Sequence, residues 1–255
     1  KIFKFLKPRS QGDFLSQEIK TFGAYEWIHL ITTRLSQSKK LSSYFLNKRN
    51  KSFGEKVGQI AKRETKIIWA ALDGAREAFL LCRPAGVICV LDQFIGHPLA
   101  LNKILTEEET LHPELKNVTK DFVSPDKLKR LEDEMRLADF IIVGSEFAKQ
   151  TLLENSIPAP KISVIAYGVE DIFFRSESIK RKNNKFFNIL FVGNISVRKG
   201  SHYLLKAMRE LGPSRFKLKM VGQMEDKYFL KEFGDYFEWV PQVEHKELSK
   251  FYAQA

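Results

Sequence analysis

From residue 67 onward the chain alternates short, almost purely apolar runs with stretches of helical periodicity. "KIIWAAL" (66–72), "GVICVLDQ" (86–93), "DFIIVG" (139–144) and "KISVIAYG" (161–168) predict strands. Between them, "DGAREAFLL" (73–81) predicts a helix. So does "PDKLKRLEDEMRLA" (125–138), in which Leu128, Leu131, Met135 and Ala138 recur at helical spacing. A further helix is predicted from Ser145, an N-cap residue type, to about Asn155. Strands this apolar are buried on both faces, as in a parallel sheet covered by helices. The fold class that follows is α/β, with ligands expected at the carboxyl ends of the strands.

The alternation breaks at 169–185, a basic, polar stretch that reads as a linker, and then restarts. Strands are predicted at 187–193, 216–222 and 236–240, and helices at 201–211, near 225–232 and from about 245. The division is therefore 1–168, linker 169–185, and 186–255, the last holding two and a half βα units, an incomplete second domain. Charge is divided as unevenly. Residues 1–66 carry 15 Lys and Arg against 5 Asp and Glu, so +10 of the net +11 falls there. Trp27, Leu30, Ile31, Leu35, Leu41, Tyr44 and Phe45 recur beside those cations at roughly helical intervals. Such a segment suits an anionic partner, and an anionic membrane surface fits its apolar stripe better than nucleic acid does.

Other features narrow the class. No apolar run approaches the ~20 residues of a membrane span, and the start "KIFKFLKPRS" lacks the apolar core of a secretory signal. The first residue is Lys, so the sequence reads as a fragment. Cys82 and Cys89, without ligands at metal-binding spacing, read as core thiols. No metal site or cofactor is expected, and a reducing cytosol is. The sequons at Asn117 and Asn194 would matter only in a secreted protein, where a glycan at Asn194 would obstruct the turn considered next.

"FFNILFVGNISVRKGSHYLLKAM" (186–208) passes from a buried strand through Arg198-Lys199-Gly200 into an amphipathic helix. Two cations and a flexible Gly at a helix N-terminus make a cradle for a diphosphate, because unpaired N–H groups and the helix dipole favour an anion there. Taken alone, the residues leave a solvated turn equally open. "DQFIGHP" (92–98) likewise places Gly96 and His97 at the end of a buried strand, where His97 is either a cleft residue or a loop-stabilising one. Glu107, Glu108, Glu109 and Glu114 read as a solvated face, Glu146 as a helix-dipole partner, and Met208 and Met220 as core.

"ADFIIVGSEFAKQTLLENSIPAPKISVIAYGVEDIFF", "ILFVGNISVRKGSHYLLKAM", "FKLKMVGQ" and "EWVPQVEHKELSKFYAQA", in this order over 138–255, resemble the retaining nucleotide-sugar glycosyltransferases of family 4, which have the GT-B fold. The resemblance implies two Rossmann-like domains, a nucleoside-diphosphate sugar on the C-terminal one and an acceptor mainly on the N-terminal one. It implies donor diphosphate binding by Arg198 and Lys199, close backbone approach at Gly193, and His97 facing the donor sugar, with Gly96 and Asn194 as further cleft candidates. No metal is implied. The family's Gly-rich loop after its first strand has only Gln11-Gly12 as a weak counterpart, and its paired glutamates are expected beyond Ala255. The implied activity is sugar transfer to a hydroxyl of a glycan or lipid-linked glycan, in the cytoplasm or peripherally at the inner membrane face. The alternative is a non-catalytic GT-B-like binding module or a basic membrane- or nucleic-acid-binding protein.

Overall fold

A computed structural model describes residues 39–169 and 186–255, with side chains in the first helix from Tyr44 on. Trp27, the Gln11-Gly12 pair and the linker at 170–185 lie outside the described residues. The elements in chain order begin with α1 (Lys39–Glu64), β1 (Ile67–Ala71), α2 (Arg76–Cys82), β2 (Ile88–Gln93), α3 (Pro98–Leu111) and α4 (Pro125–Leu137). They continue with β3 (Phe140–Val143), α5 (Glu146–Glu154), β4 (Ile162–Val164), β5 (Phe187–Val192), α6 (Ser201–Leu211) and β6 (Phe216–Val221). The last are α7 (Tyr228–Phe233), β7 (Glu238–Val240) and α8 (Leu248–Tyr252). The sheets run β1-β2-β3-β4 and β5-β6-β7. The ladders β1/β2, β3/β4, β5/β6 and β6/β7 are all parallel.

Packing groups the chain into two units. The first holds the described residues up to Asp92 together with Asp133–Asp139. In it, Cys89, Val90 and Leu91 of β2 are buried in succession, whereas β1 alternates and leaves Trp69 exposed. α1 lies close to α2 because Gly54 and Gly58, one turn apart, remove side chains from the contact. A Cβ at Gly58 would sit 2.9 Å from the Ala78 Cα. The N-terminus of α2 has no side-chain cap of its own. Glu134, fully buried on α4, supplies one from a distance: its carboxylate accepts the N–H of Asp73 at 2.7 Å and of Arg76 at 3.2 Å.

The second unit holds Gln93–Glu132 and Phe140–Ala255. Ser145 caps α5 as expected, its Oγ accepting the Ala148 N–H at 3.2 Å. The predicted strand at 161–168 stops at Val164, because its partner β3 ends at Val143. Beyond it Ile165 and Tyr167 are exposed. α3 is an element that the sequence patterns above do not assign. One apolar cluster joins it to the β5-β6-β7 sheet: Leu105 with Leu115 and Val118 packs among Ile195, Leu205, Met220 and Phe229. Met208 and Met220 are buried there, as expected. The last helix starts at Leu248, after a 3-10 turn over His245–Glu247.

Candidate functional site

β5 and β6 end alike, in Phe191-Val192-Gly193 and Met220-Val221-Gly222, and the two endings interlock at the carboxyl edge of the sheet. The Gly193 N–H donates to the Val221 carbonyl at 2.9 Å, and the Gly222 N–H to the Val240 carbonyl at 3.0 Å. Gly193 has φ +148 and Gly222 φ +146, a conformation that side chains rarely adopt. At Gly222 space also forbids one, since a Cβ would lie 2.1 Å from the Gly193 carbonyl oxygen. Gly222 thus allows the two strand endings to pack backbone against backbone. Gly193 and Asn194, with Gly222, Gln223, Gln242 and His245, line a recess of about 250 Å³ at this edge. The amides of Gln223 and Gln242 meet at 2.9 Å, and the Trp239 indole donates to the Gly222 carbonyl at 3.0 Å.

The chain then makes a single 3-10 turn over Val197–Lys199, reverses at Gly200 (φ +68) and enters α6 at Ser201. Val197 is buried and holds the turn down, while Arg198 and Lys199 project from it and are exposed. Ser201 stitches the turn to the helix, its Oγ accepting the Ser196 N–H at 3.1 Å while its own N–H bonds to the Ser196 carbonyl. Arg198 is paired: its Nε lies 3.2 Å from Asp121 Oδ2, with about a quarter to a third of each side chain exposed. Beside it Lys120 binds Asp226 and the Glu225 carbonyl. The ammonium of Lys120 and then the Tyr228 N–H hold the Asp226 carboxyl below its usual range. The 120–121 pair therefore touches both the cationic turn and the loop after β6.

His97 is buried and is the N-cap of α3. Its Nδ1 accepts the Leu99 N–H at 3.2 Å, and the His97 backbone N–H donates to Thr151 Oγ1 at 2.9 Å. Because Nδ1 accepts, the neutral ring carries its proton on Nε2. Burial lowers the ring's pKa from 6.5 and so favours that neutral form. Gly96 is fixed by packing, since a Cβ there would lie 2.9 Å from Thr151 Oγ1. Among the described residues no hydrogen bond or ion pair joins His97 to Arg198 or Lys199.

One expectation is corrected at Glu108, which is half-buried and bonds to His202 and Tyr203; Glu114 is exposed, as a solvated face requires, and binds Lys206. The sequence reading also passed over Gly222, Asp121 and the Gln223–Gln242 pair. The first was legible as the second Val-Gly strand ending; the others come from distant segments and carry no local signal.

No protein-family model matches this chain, and no curated protein matches it. Solved structures do. Anabaena HepE in complex with UDP and glucose is similar with a TM-score of 0.52 at 17% identity, over 78% of this chain and 53% of its own. A UDP-forming trehalose-phosphate synthase from Burkholderia xenovorans gives 0.52 at 12% identity, over 91% and 59%. The E. coli trehalose-6-phosphate protein bound with UDP-2-fluoro glucose gives 0.51 at 14%, over 91% and 60%. The chain thus spans between 53% and 60% of the length of these structures. At such identities the likeness is one of fold: the chain is α/β and GT-B-like, as these structures are.

Proposed function

We propose that this chain is part of a glycosyltransferase that moves a sugar from a nucleoside-diphosphate donor to an acceptor hydroxyl of a glycan or lipid-linked glycan. The mechanism proposed is retaining, as the resemblance to family 4 implies, with donor chemistry that uses no metal. One observation carries the reading: Arg198 and Lys199 project from a stitched turn, anchored by buried Val197, between a parallel strand and the N-terminus of α6. Structural neighbours were solved with UDP and glucose or with UDP-2-fluoro glucose, which fits a uridine diphosphate donor.

As the sugar C1–O bond breaks, the electron pair stays on the leaving diphosphate, and the acceptor hydroxyl bonds to C1 on the same face while passing its proton to the leaving phosphate oxygen. Cations fixed where that charge accumulates stabilise the transition state more than the ground state. Asp121 holds Arg198 in place meanwhile, and an incoming diphosphate would compete with it for the guanidinium. His97 offers an Nε2–H donor for the sugar from the start of α3, and Gly96, Gly193 and Asn194 complete the proposed surroundings. The division into domains at 1–168 and 186–255 belongs to the same proposal.

The test is a screen of nucleoside-diphosphate sugars for binding, hydrolysis and transfer by the full-length protein. R198A and K199A should each weaken donor use by about 1.5–3 kcal/mol, the cost of a lost charge-assisted hydrogen bond. Donor affinity unchanged in both variants would sink the diphosphate assignment. A non-catalytic module is the second reading, and it wins if donors bind but no sugar is released or transferred.

A further inference from the structure

His112 caps the C-terminal end of α3, and His202 stands in the first turn of α6. Where these helix ends meet, Glu108, His112 and His202 each bring one potential ligand atom within 4.8 Å of the others. His202 Nε2 lies 3.1 Å from Glu108 Oε2, the separation two ligands show when each is about 2 Å from a shared ion. The rings of His112 and His202 meet edge to face with centroids 5.2 Å apart. His202 is fully buried, and its Nδ1 has no hydrogen-bond partner. With an ion on Nε2, the proton that His202 donates to Glu108 moves to this Nδ1.

The proton arrangement without an ion can be traced. The Lys206 ammonium donates to His112 Nδ1 at 2.9 Å, so His112 carries its ring proton on Nε2, 3.3 Å from the Tyr203 hydroxyl. Tyr203 in turn donates to Glu108 at 3.0 Å, and His202 Nε2–H donates to the same carboxylate. Three donors thus converge where a cation would sit. Lys206 opposes a cation by its charge, but it already has a second acceptor in Glu114 at 3.0 Å. Glu114 also stands 3.7 Å from His112 Nδ1. With an ion on Nε2 the His112 proton moves to Nδ1; Lys206 must then release Nδ1 and Glu114 close in from 3.7 Å to accept the proton, giving the carboxylate–imidazole–metal relay that orients histidine ligands.

We propose that Glu108, His112 and His202 form a binding site for a divalent transition metal of the Zn²⁺ type, with the Tyr203 hydroxyl beside the open fourth position. Two imidazoles and one carboxylate suit that class of ion better than Ca²⁺ or Mg²⁺, which prefer all-oxygen sites. None of these residues belongs to the Arg198-Lys199 turn. An ion here would fasten the end of α3 to the first turn of α6, the helix that this turn opens.

The full chain, free of any affinity tag and stripped with a chelator, is titrated with Zn²⁺ in competition with a chromophoric chelator, and separately with Co²⁺. One equivalent of Zn²⁺ is expected to bind. H112A and E108Q should each lose most of that affinity, and E114Q should weaken it about 10- to 100-fold, as outer-shell changes do. Co²⁺ should give the visible d–d bands of a low-coordinate nitrogen and oxygen site without thiolate charge transfer. Absence of saturable binding, equal affinity in wild type, H112A and E108Q, or thiolate charge transfer from Cys82 or Cys89 would each overturn the proposal. The Co²⁺ spectrum of the wild type decides the matter even if a variant fails to fold.

Discussion

Gly222 is the residue at which backbone geometry and space agree most closely. Alanine there meets the Gly193 carbonyl at 2.1 Å and must also hold φ near +146. We expect G222A to cost about 3 kcal/mol, the upper end for a strained backbone position, read as a lowered urea midpoint with an unchanged slope. His97 gives a prediction in pH. Its pKa is lowered from 6.5 by burial, so the unfolded ring takes up a proton at a pH where the folded ring does not. Stability is therefore full above pH 6.5 and falls as pH drops through 6.5 towards the folded value. Asparagine can still cap α3 but cannot titrate, so H97N should flatten the stability profile below pH 6.5. His202, shifted the same way, retains its share of the slope. A profile identical to wild type would remove His97 as the cause. At this scale the sequence was legible where chemistry is local: the Arg198-Lys199 turn, the Ser145 cap and the core methionines. It was silent on Asp121, Glu134 and Glu108, whose partners lie 77, 61 and 94 residues away.

Among elements, α1 and α2 show how a helix contact can outweigh helix propensity. Replacing a helical Gly by Ala gains up to about 1 kcal/mol in propensity. At Gly58, however, the new Cβ would lie 2.9 Å from the Ala78 Cα and 3.0 Å from a Leu81 methyl. The Ala78 backbone cannot turn aside as a long side chain would, so the helices must part. G58A is therefore expected to destabilise by about 1–2 kcal/mol in spite of its propensity gain, and thermal unfolding gives the sign directly. A rise in Tm would show that the contact yields. The elements most legible in the sequence were those with regular burial, such as β2 and α6. α3 was missed because, of its apolar residues, Pro98 and Leu105 are buried while Leu99, Ile104 and Leu111 are exposed, which erases the helical stripe. β4 was overextended because an apolar run continues past the point where its partner strand stops.

At the scale of the whole molecule, charge rather than packing makes the prediction. With +10 of the net +11 in residues 1–66, and Tyr44 and Phe53 exposed on α1 within that stretch, an anionic lipid surface is the proposed partner. Each cation near such a surface contributes about 1 kcal/mol. Co-sedimentation should show binding to anionic vesicles, none to neutral ones, and release by salt; equal partition to both kinds contradicts it. The α/β class and the succession of strands along the chain were readable from the alternation, while the pairing of strands within each sheet rests on contacts between segments far apart in sequence. The thiols of the first unit have a consequence of another sort. Cys82 and Cys89 are fully buried, and burial above all pushes the Cys89 thiol up to about 12. They are the only cysteines in the chain, and both belong to that unit. An aromatic disulfide reagent can therefore react only when this unit opens, at a rate set by how often it does so. The protein carries its own clock for local unfolding, and the G58A change should make it run faster.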